Sequence, residues 1–217
     1  DPASAVYVRS KAKACEDIGI YSESHRLRAE IDEKELLALI DSLNRNTRIH
    51  GILVQLPLTG QINEDRVLDA ISPQKDVDGL HPVNQGLLQL GRPSLVPCTP
   101  LGIQALLHRS KIKVEGRHVV ILGRSRLVGM PLAILLAQRT EMGNATVTLC
   151  HSKSLGLAEI TQRADILVTA IGKPAYVTEN MVKKGAIVID LGVNRIADPT
   201  SPRGYRLVGD VDFDRVQ

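Results

Sequence analysis

The sequence predicts an α/β protein of two domains, the second of which contains a parallel β-sheet. Two observations support this: strand-like aliphatic runs alternate with helical segments after residue 117, and prolines and glycines concentrate between residues 72 and 102. Of the 217 residues, 43% are hydrophobic and only 2% aromatic, so aliphatic side chains must form the core. At about 150 residues per domain this length allows one or two domains. We place the two domains at residues 1–97 and 98–217.

The N-terminal half predicts helices around one strand. Helical spacing of apolar residues predicts three helices, at residues 3–18, 33–43 and 63–70. The first helix places positions 7, 11, 14 and 18 on one stripe and ends at Gly19. The apolar run at 50–58 predicts a strand buried on both faces. The stretch at 72–102 is predicted to be dominated by loops and could contain a domain boundary.

The second half shows a regular alternation of strands and helices. Aliphatic runs predict four strands, at residues 118–123, 145–151, 164–172 and 186–192. A helix is predicted at residues 131–139, between the first two strands. Aliphatic strands joined by helical or irregular crossovers are typical of a Rossmann-like parallel sheet.

Charge and composition exclude several classes of function. Lys and Arg number 27 against 24 Asp and Glu, a net charge of +3 that is too small for a polyanion-binding surface. Aromatic residues are too few for a base-stacking platform, and no apolar run approaches the roughly 18 residues of a membrane span. We therefore expect no nucleic acid and no membrane, but small-molecule partners or further copies of the chain.

Cysteine and histidine spacing predicts neither disulfides nor a metal site. Cys15, Cys98 and Cys150 are odd in number and lack CxxC spacing, and the six histidines form no HExxH pattern. This usage indicates a reducing compartment. The chain begins with Asp1 rather than Met and stops without an obvious closing element, so we expect it to be a segment of a longer protein.

A tight turn joins the first strand of the second domain to its helix. Gly123, Arg124 and Ser125 open this turn, where backbone N–H groups at a helix N-terminus could bind a phosphate. Ser125 and Val128 stand where the GxGxxG fingerprint has its second and third glycines. The motif alone leaves open both nucleotide binding and an ordinary strand–helix turn.

The next strand ends in His151, Ser152 and Lys153 rather than in the acidic residue typical of an NAD site. One hydroxyl and two potential cations, together with Arg124, would suit the 2′-phosphate of NADP. The alternative is that these are solvated loop residues. Agreement between the two loops favours NADP over NAD.

Four residues of the first domain could carry chemistry. Tyr7 and Lys11 are four apart and share one helix face, although most such lysines simply reach into solvent. Gln55 lies inside an apolar run, where its amide needs a partner that could be structural or could be a lysine or water. Asp78, in the segment KDVDG, could form a turn or pair with the adjacent N–H groups of a pterin.

Taken together, eight motifs resemble the bifunctional methylenetetrahydrofolate dehydrogenase/methenyltetrahydrofolate cyclohydrolase family. They follow the family's order and cover the chain almost from end to end. In this sequence they read YVxxKxKAxxxIGI from Tyr7, HGILVQLPL, KDVDGL, PCTPLG, GRSxxVGMP, ATVTxCHSK, ADILVxAxGKP and IDLGVNR.

The resemblance implies a role for each matching residue. Lys11 would be the main catalytic group, bonded by Gln55, with Tyr7 lining the folate site. Leu56 would contact the folate beside Gln55, and Asp78 would bind the pterin.

For the cofactor, the resemblance implies NADP held by the turn and by two later loops. The turn residues are Gly123, Arg124 and Ser125. Ser152 would bind the 2′-phosphate, and Val193 would contact the nicotinamide side through its backbone. The family's first helix and strand, its PGGVGP loop and its last helix have no counterpart in this chain.

The resemblance also implies a homodimer that acts on one-carbon derivatives of tetrahydrofolate, in one-carbon metabolism and purine biosynthesis. We expect a bacterial-type cytoplasmic location, or a mitochondrial one in a eukaryote. Two alternatives remain: a monofunctional NAD-linked dehydrogenase of the same family, and a catalytically silent folate- or nucleotide-binding module. The Ser152 loop argues against the first, while the presence of Lys11 and Asp78 argues against the second.

Overall fold

The computed structural model describes residues 2–201 and 203–217, without the side chains of residues 2–6. The chain divides into two compact units, one ending at Val83 and the other spanning Asn84–Gln217. This division lies before the domain boundary predicted between residues 97 and 98, which stays a prediction. Each unit has its own hydrophobic core.

The three helices predicted for the N-terminal half are confirmed: α1 (Pro2–Asp17), α2 (Glu33–Arg45) and α3 (Glu64–Ala70). Side-chain caps explain where two of them begin. The Asp32 carboxylate accepts a hydrogen bond from the Lys34 N–H at 3.4 Å, and the Asn63 side chain accepts one from the Arg66 N–H at 3.1 Å. The buried core of this unit comes from α2, α3 and the loops: Ile31, Leu36, Ile40, Ile52, Ile62, Val67, Leu68, Ile71 and Leu80.

The stripe predicted on α1 is not a buried face. Tyr7 is 54% exposed, Lys11 is exposed, and Ile18 beyond the helix is 72% exposed. The half-buried positions are instead Val8, Ala12 and Cys15. The three half-buried positions thus follow helical spacing on the neighbouring face, which leaves Tyr7 and Lys11 open to solvent.

The strand predicted at residues 50–58 does not form. Its only ladder contact is an isolated parallel bridge between Ile52 and Asp76, in which the Ile52 N–H donates to the Lys75 carbonyl at 2.7 Å. Burial on both faces was also wrong, because Ile52 is the only buried residue of the run. An apolar run becomes a strand only where another segment lies alongside it, and Pro57 has no N–H to donate to such a ladder.

The stretch predicted as loops at residues 72–102 contains one complete helix and the start of another. These are α4 (Pro82–Gln89) and α5 (Cys98–Arg109). Pro82 is the first residue of α4 and Pro100 lies in the first turn of α5, where the missing proline N–H leaves no helical hydrogen bond unmade. The sequence prediction missed these helices because it took prolines at helix starts for breaks in structure, although most of the stretch is loop and the division between the two units lies within it.

The predicted parallel sheet of the second half is confirmed. Its strands are β1 (His118–Leu122), β2 (Thr146–Cys150), β3 (Ile166–Thr169) and β4 (Ile187–Asp190), in the order β2-β1-β3-β4. The predicted helix after β1 is α6 (Gly129–Ala137). Short helices α7 (Leu157–Thr161) and α8 (Phe213–Val216) and an antiparallel hairpin, β5 (Asn194–Ala197) and β6 (Tyr205–Val208), were not predicted.

The central strands are covered on both faces. In β1, Val119 and Ile121 belong to one buried cluster, whereas Val120 and Leu122 belong to a second. The first cluster includes residues of α5 and α6, and the second includes Val177, Met181 and Val211 from later segments. Burying each such side chain contributes about 1.5–3 kcal/mol, so these two layers fix the sheet against its coverings.

All three cysteines are free thiols, and Cys150 at the end of β2 is buried. The described residues include no helix with the length and apolar character needed to span a membrane. They also include no group of three or more His, Cys, Asp or Glu side chains arranged to hold a metal ion.

Close backbone packing joins β1 to α6. A Cβ atom on Gly129, the first residue of α6, would collide with the carbonyl oxygen of Gly123. Gly123 itself has a φ of 117° and approaches the Ala170 carbonyl in the same way. Only glycine fits both positions, because any side chain would push the helix away from the strand.

We therefore expect Gly129→Ala to lower the free energy of unfolding by about 1–3 kcal/mol, the usual cost of overpacking a tight contact. Gly102→Ala in α5 is the matched control, because a Cβ there meets nothing within 4 Å. It should raise the free energy of unfolding by about 0.5–1 kcal/mol. Denaturant unfolding of both variants measures this, and equal stabilities would contradict the packing role of Gly129.

Candidate functional site

Lys11 and Gln55 meet although 44 residues separate them in sequence. The Lys11 Nζ donates a hydrogen bond to Gln55 Oε1 at 3.4 Å. The other end of the Gln55 amide donates to the Leu56 carbonyl at 3.0 Å, so its oxygen is turned toward the lysine. The polar partner expected for Gln55 is therefore the Lys11 ammonium group.

Asp78 belongs to the same group of side chains. It is half-buried, and burial raises the pKa of its carboxyl above the ordinary value. The positive charge of Lys11 lowers that pKa and the negative charge of Asp76 raises it, but neither effect outweighs burial. Lys11, Gln55 and Asp78 therefore form one electrostatically coupled cluster, the catalytic cluster.

The remaining predicted residues of this unit border the catalytic cluster in sequence. Tyr7 lies one helical turn before Lys11 and is 54% exposed, so its ring is available to a ligand. Leu56 is half-buried next to Gln55. The side chains of α1 that carry chemistry are therefore on its open face.

A buried carboxylate and a lysine hold the turn that carries Asp78. Asp76 is 2% exposed and accepts a hydrogen bond from the His81 N–H at 2.8 Å. Lys75 donates to three carbonyl oxygens where α2 ends, those of Leu43 at 3.0 Å, Asn44 at 2.6 Å and Asn46 at 2.9 Å. The contact of Asp76 agrees with the turn-forming role that the sequence allowed for the carboxylates of KDVDG, whereas the role of Lys75 was not predicted.

In the second unit, hydrogen bonds within the turn after β1 define its shape. The Gly123 N–H donates to the Cys150 carbonyl at 2.9 Å. The Ser125 hydroxyl accepts from the Val128 N–H at 3.1 Å, and its carbonyl accepts from the Met130 N–H at 3.1 Å. Gly129 allows the close strand–helix contact that the third glycine of the fingerprint provides. It lies one residue after position 128, where the fingerprint places that glycine.

Arg124, Ser125 and Ser152 all lie at one edge of the sheet. They follow β1 and β2, whose last residues, Leu122 and Cys150, are paired in parallel register. All three are exposed. The carboxyl ends of parallel strands face the same side, so the turn and the Ser152 loop form one surface there.

The loop of Ser152 has a defined shape. The His151 N–H donates to the Ser154 hydroxyl at 3.0 Å, and the Lys153 N–H donates to His151 Nδ1 at 3.1 Å. These contacts occupy residues on both sides of Ser152. No acidic residue occurs between positions 151 and 154, so the loop offers donors rather than a carboxylate.

Val193 lies at the same edge of the sheet, after β4. It is 61% exposed and directly precedes Asn194, the first residue of β5. Two carboxylates that the sequence prediction missed, Asp190 and Asp210, accept hydrogen bonds from the loops around it. A sequence signal existed, since Asp190 ends an apolar run two residues before Gly192 and Asp210 directly follows Gly209.

Comparison with known proteins matches both units to one family. Residues 1–78 match the model described as the catalytic domain of tetrahydrofolate dehydrogenase/cyclohydrolase, and residues 97–217 match its NAD(P)-binding domain. The "Bifunctional protein FolD" of Dehalococcoides mccartyi strain CBDB1 is 56% identical over 218 residues. This alignment covers 100% of the present chain and 73% of the relative.

Solved structures give the same match. The bifunctional FolD methylenetetrahydrofolate dehydrogenase/cyclohydrolase of Campylobacter jejuni superposes with a TM-score of 0.91 at 47% identity. The Trypanosoma brucei methylenetetrahydrofolate dehydrogenase-cyclohydrolase, solved with NADP and an inhibitor, has a TM-score of 0.92 at 40% identity. Each comparison covers 100% of the present chain and 73% of the other.

The raised pKa of Asp78 predicts how its replacement affects stability. In acid the carboxyl is protonated in both folded and unfolded states, so ionisation costs the fold nothing. As the pH rises through the folded pKa, the folded state bears the larger ionisation cost, because its pKa is the higher one. We expect Asp78→Asn to match the parent in acid and to become the more stable protein toward neutral pH.

Thermal unfolding of both proteins across this pH range measures the difference. A variant that is less stable than the parent at every pH would assign Asp78 a structural role in its turn.

Proposed function

The chain belongs to the tetrahydrofolate dehydrogenase/cyclohydrolase family, and on that premise we propose how its residues carry out two reactions. In the first, NADP-dependent oxidation converts 5,10-methylenetetrahydrofolate into 5,10-methenyltetrahydrofolate. In the second, water opens the methenyl cation to 10-formyltetrahydrofolate. The catalytic cluster of Lys11, Gln55 and Asp78 is the observation that best supports this proposal.

Lys11 is the group that accepts and returns a proton in the hydrolytic step. The methenyl substrate is already a cation, so attack by water needs positioning and a site for the departing proton rather than a strong acid. Gln55 accepts a hydrogen bond from Lys11 and thereby directs its Nζ atom. In its neutral amine form, Lys11 accepts the proton that water loses on attack. It then returns that proton to the nitrogen whose bond to the one-carbon unit breaks. Because Lys11 lies on an exposed helix face, water and substrate can both reach it.

Asp78 is the residue that binds the pterin. A carboxylate can accept two parallel hydrogen bonds from the adjacent amine and ring N–H of a pterin, a strong and directional pair. Its partial burial excludes some competing water, which the raised pKa reflects. Tyr7 and Leu56 provide apolar surface for the folate on either side of Lys11 and Gln55.

The second unit fits NADP on the evidence of its own backbone. The glycines at positions 123 and 129 let the end of β1 and the start of α6 approach closely, so backbone N–H groups at the helix N-terminus can bind the dinucleotide pyrophosphate. Bound NADP supplies the hydride acceptor. Arg124 and Ser152 are donors at the adenosine end, and Val193 offers its backbone at the nicotinamide end.

One assay distinguishes this function from its alternatives. The purified protein is mixed with 5,10-methylenetetrahydrofolate and NADP, and NADPH and the methenyl product are followed together. A bifunctional enzyme forms NADPH while the methenyl product passes on to the formyl product. Methenyl product that persists in step with NADPH would indicate a dehydrogenase alone, and no NADPH would indicate a silent binding module.

We also propose a homodimer located in a bacterial cytoplasm. The relatives at 50–56% identity are bacterial, which supports this location over a mitochondrial one. Sedimentation equilibrium of the purified protein measures the oligomeric state, and a monomer at micromolar concentration would contradict the proposal.

Replacing Lys11 tests the hydrolytic mechanism. Lys11→Met should lower cyclohydrolase turnover by about 10²-fold or more, the usual scale for one proton-transfer group. The fold should survive, because the position is exposed and Met suits a helix. Lys13→Met is the matched control, since Lys13 lies on the same helix and forms an exposed ion pair with Asp17 at 3.5 Å. Turnover of Lys11→Met within threefold of the parent would remove Lys11 from the mechanism.

Cofactor preference should depend on Arg124 and Ser152. Ser152→Asp places a negative charge against the 2′-phosphate and offers the NAD ribose an acceptor. The ratio of kcat/KM for NADP to that for NAD should therefore fall by at least about tenfold, and Arg124→Ala should lower it for the same reason. The KM for folate serves as the internal control and should not change. An unchanged cofactor ratio would show that the Ser152 loop does not contact the adenosine.

A further inference from the structure

Asp210 is a fully buried carboxylate that backbone donors surround. It is 0% exposed. One oxygen accepts from the N–H groups of Ile171 at 2.7 Å and Gly172 at 3.1 Å. The other accepts from the Lys173 N–H at 2.9 Å and from the Asn194 side-chain amide at 2.9 Å. Three successive backbone N–H groups form an anion-binding arrangement, which this chain fills with its own side chain.

These donors come from the two loops that follow β3 and β4. Residues 171–173 continue from the end of β3, and Asn194 comes directly after Val193 beyond the end of β4. In a doubly wound sheet a dinucleotide lies across the carboxyl ends of the strands, with its two halves on opposite sides of the strand that carries the phosphate turn. With the order β2-β1-β3-β4, the adenosine half lies toward β2 and the nicotinamide half toward β3 and β4.

A second carboxylate holds Asp210 itself. One oxygen of Asp190, the last residue of β4, accepts from the Asp210 N–H at 3.0 Å and from the Gly192 N–H at 2.8 Å. The other accepts from the Val211 N–H at 2.9 Å. Asp190 thus ties the segment that carries Asp210 to the end of the sheet.

The fit around the two carboxylates leaves no room for side chains. A Cβ on Gly192 would collide with Asp210, and one on Gly209 would collide with the Asp190 carboxylate. Asp210 thus links residues 171–173 to Asn194, the residue after Val193, through its hydrogen bonds to both loops.

We propose that Asp210 is the positioning residue for the nicotinamide half of the cofactor site. It contacts neither substrate nor cofactor, and it acts by holding residues 171–173 and the Val193–Asn194 segment in one arrangement. The proposal rests on the proposed function, because it requires hydride transfer at this edge of the sheet. Cyclohydrolysis needs no hydride acceptor, so the two activities of one preparation separate this role from general stability.

The test compares Asp210→Asn with the parent in both reactions. Asn keeps the shape but turns an N–H₂ group toward backbone N–H donors, so the loops lose part of their support. We expect dehydrogenase kcat to fall by about tenfold or more, the scale of misplacing a reacting group, while cyclohydrolase kcat stays within about twofold. The NADP to NAD preference should not change, because Arg124 and Ser152 lie at the other half of the site.

Two further variants keep the test decisive. Asn194→Ala removes only one of the four donors, so it should lower dehydrogenase kcat by a smaller factor and again leave cyclohydrolase turnover in place. It provides the answer if Asp210→Asn does not fold. Asp212→Asn is the control, since Asp212 lies two residues away and pairs with Arg215 at 3.5 Å outside this network. It should change neither activity.

A parallel loss of both activities in a folded Asn194→Ala or Asp210→Asn variant, or no loss in either, would overturn the positioning role. A parent protein without dehydrogenase activity would instead refute the proposed function.

Discussion

The C-terminal unit depends on how closely its backbone packs at Gly123. The residue directly follows β1, bonds to the neighbouring strand through the Cys150 carbonyl, and closely approaches the carbonyl of Ala170 beyond β3. Its own carbonyl in turn meets Gly129 at the start of α6. Four segments thus converge on one residue without a side chain. The turn, the Ser152 loop and the helix N-terminus acquire their relative positions from this contact.

Backbone polar groups, rather than opposite charges, solvate one half-buried charged side chain in the first unit and one buried carboxylate in the second. Lys75 donates to three carbonyl groups where α2 ends, and Asp210 accepts from three N–H groups after β3. In each case one ionised side chain satisfies several polar groups that a loop would otherwise leave unpaired. Loops held in this way can be as well defined as strands, which a site built on loops requires.

In the catalytic cluster, side chains are placed where they serve function and not stability. Lys11 lies on a helix whose described side chains are exposed or half-buried, and partial burial disfavours ionisation of the Asp78 carboxyl and so raises its pKa. Neither placement favours the fold. Both leave a cation and a carboxylate within reach of a ligand, which explains why a protein would retain them.

The sequence by itself determined the parallel sheet, the helices α1, α2, α3 and α6, and the identity of the family. These follow from local patterns: aliphatic runs alternating with helices in the second half, helical spacing, and motifs of several adjacent residues. It also singled out Lys11 and Gln55, whose contact the structure then supplied. Tertiary structure alone decided that residues 50–58 form one bridge rather than a strand, because a strand depends on what lies beside it. It also decided that Gly129 rather than position 128 is the glycine packed against β1, and that Asp210 joins two distant loops. Such features depend on which backbone groups from different segments meet in space. The spacing of residues within one segment cannot predict those contacts.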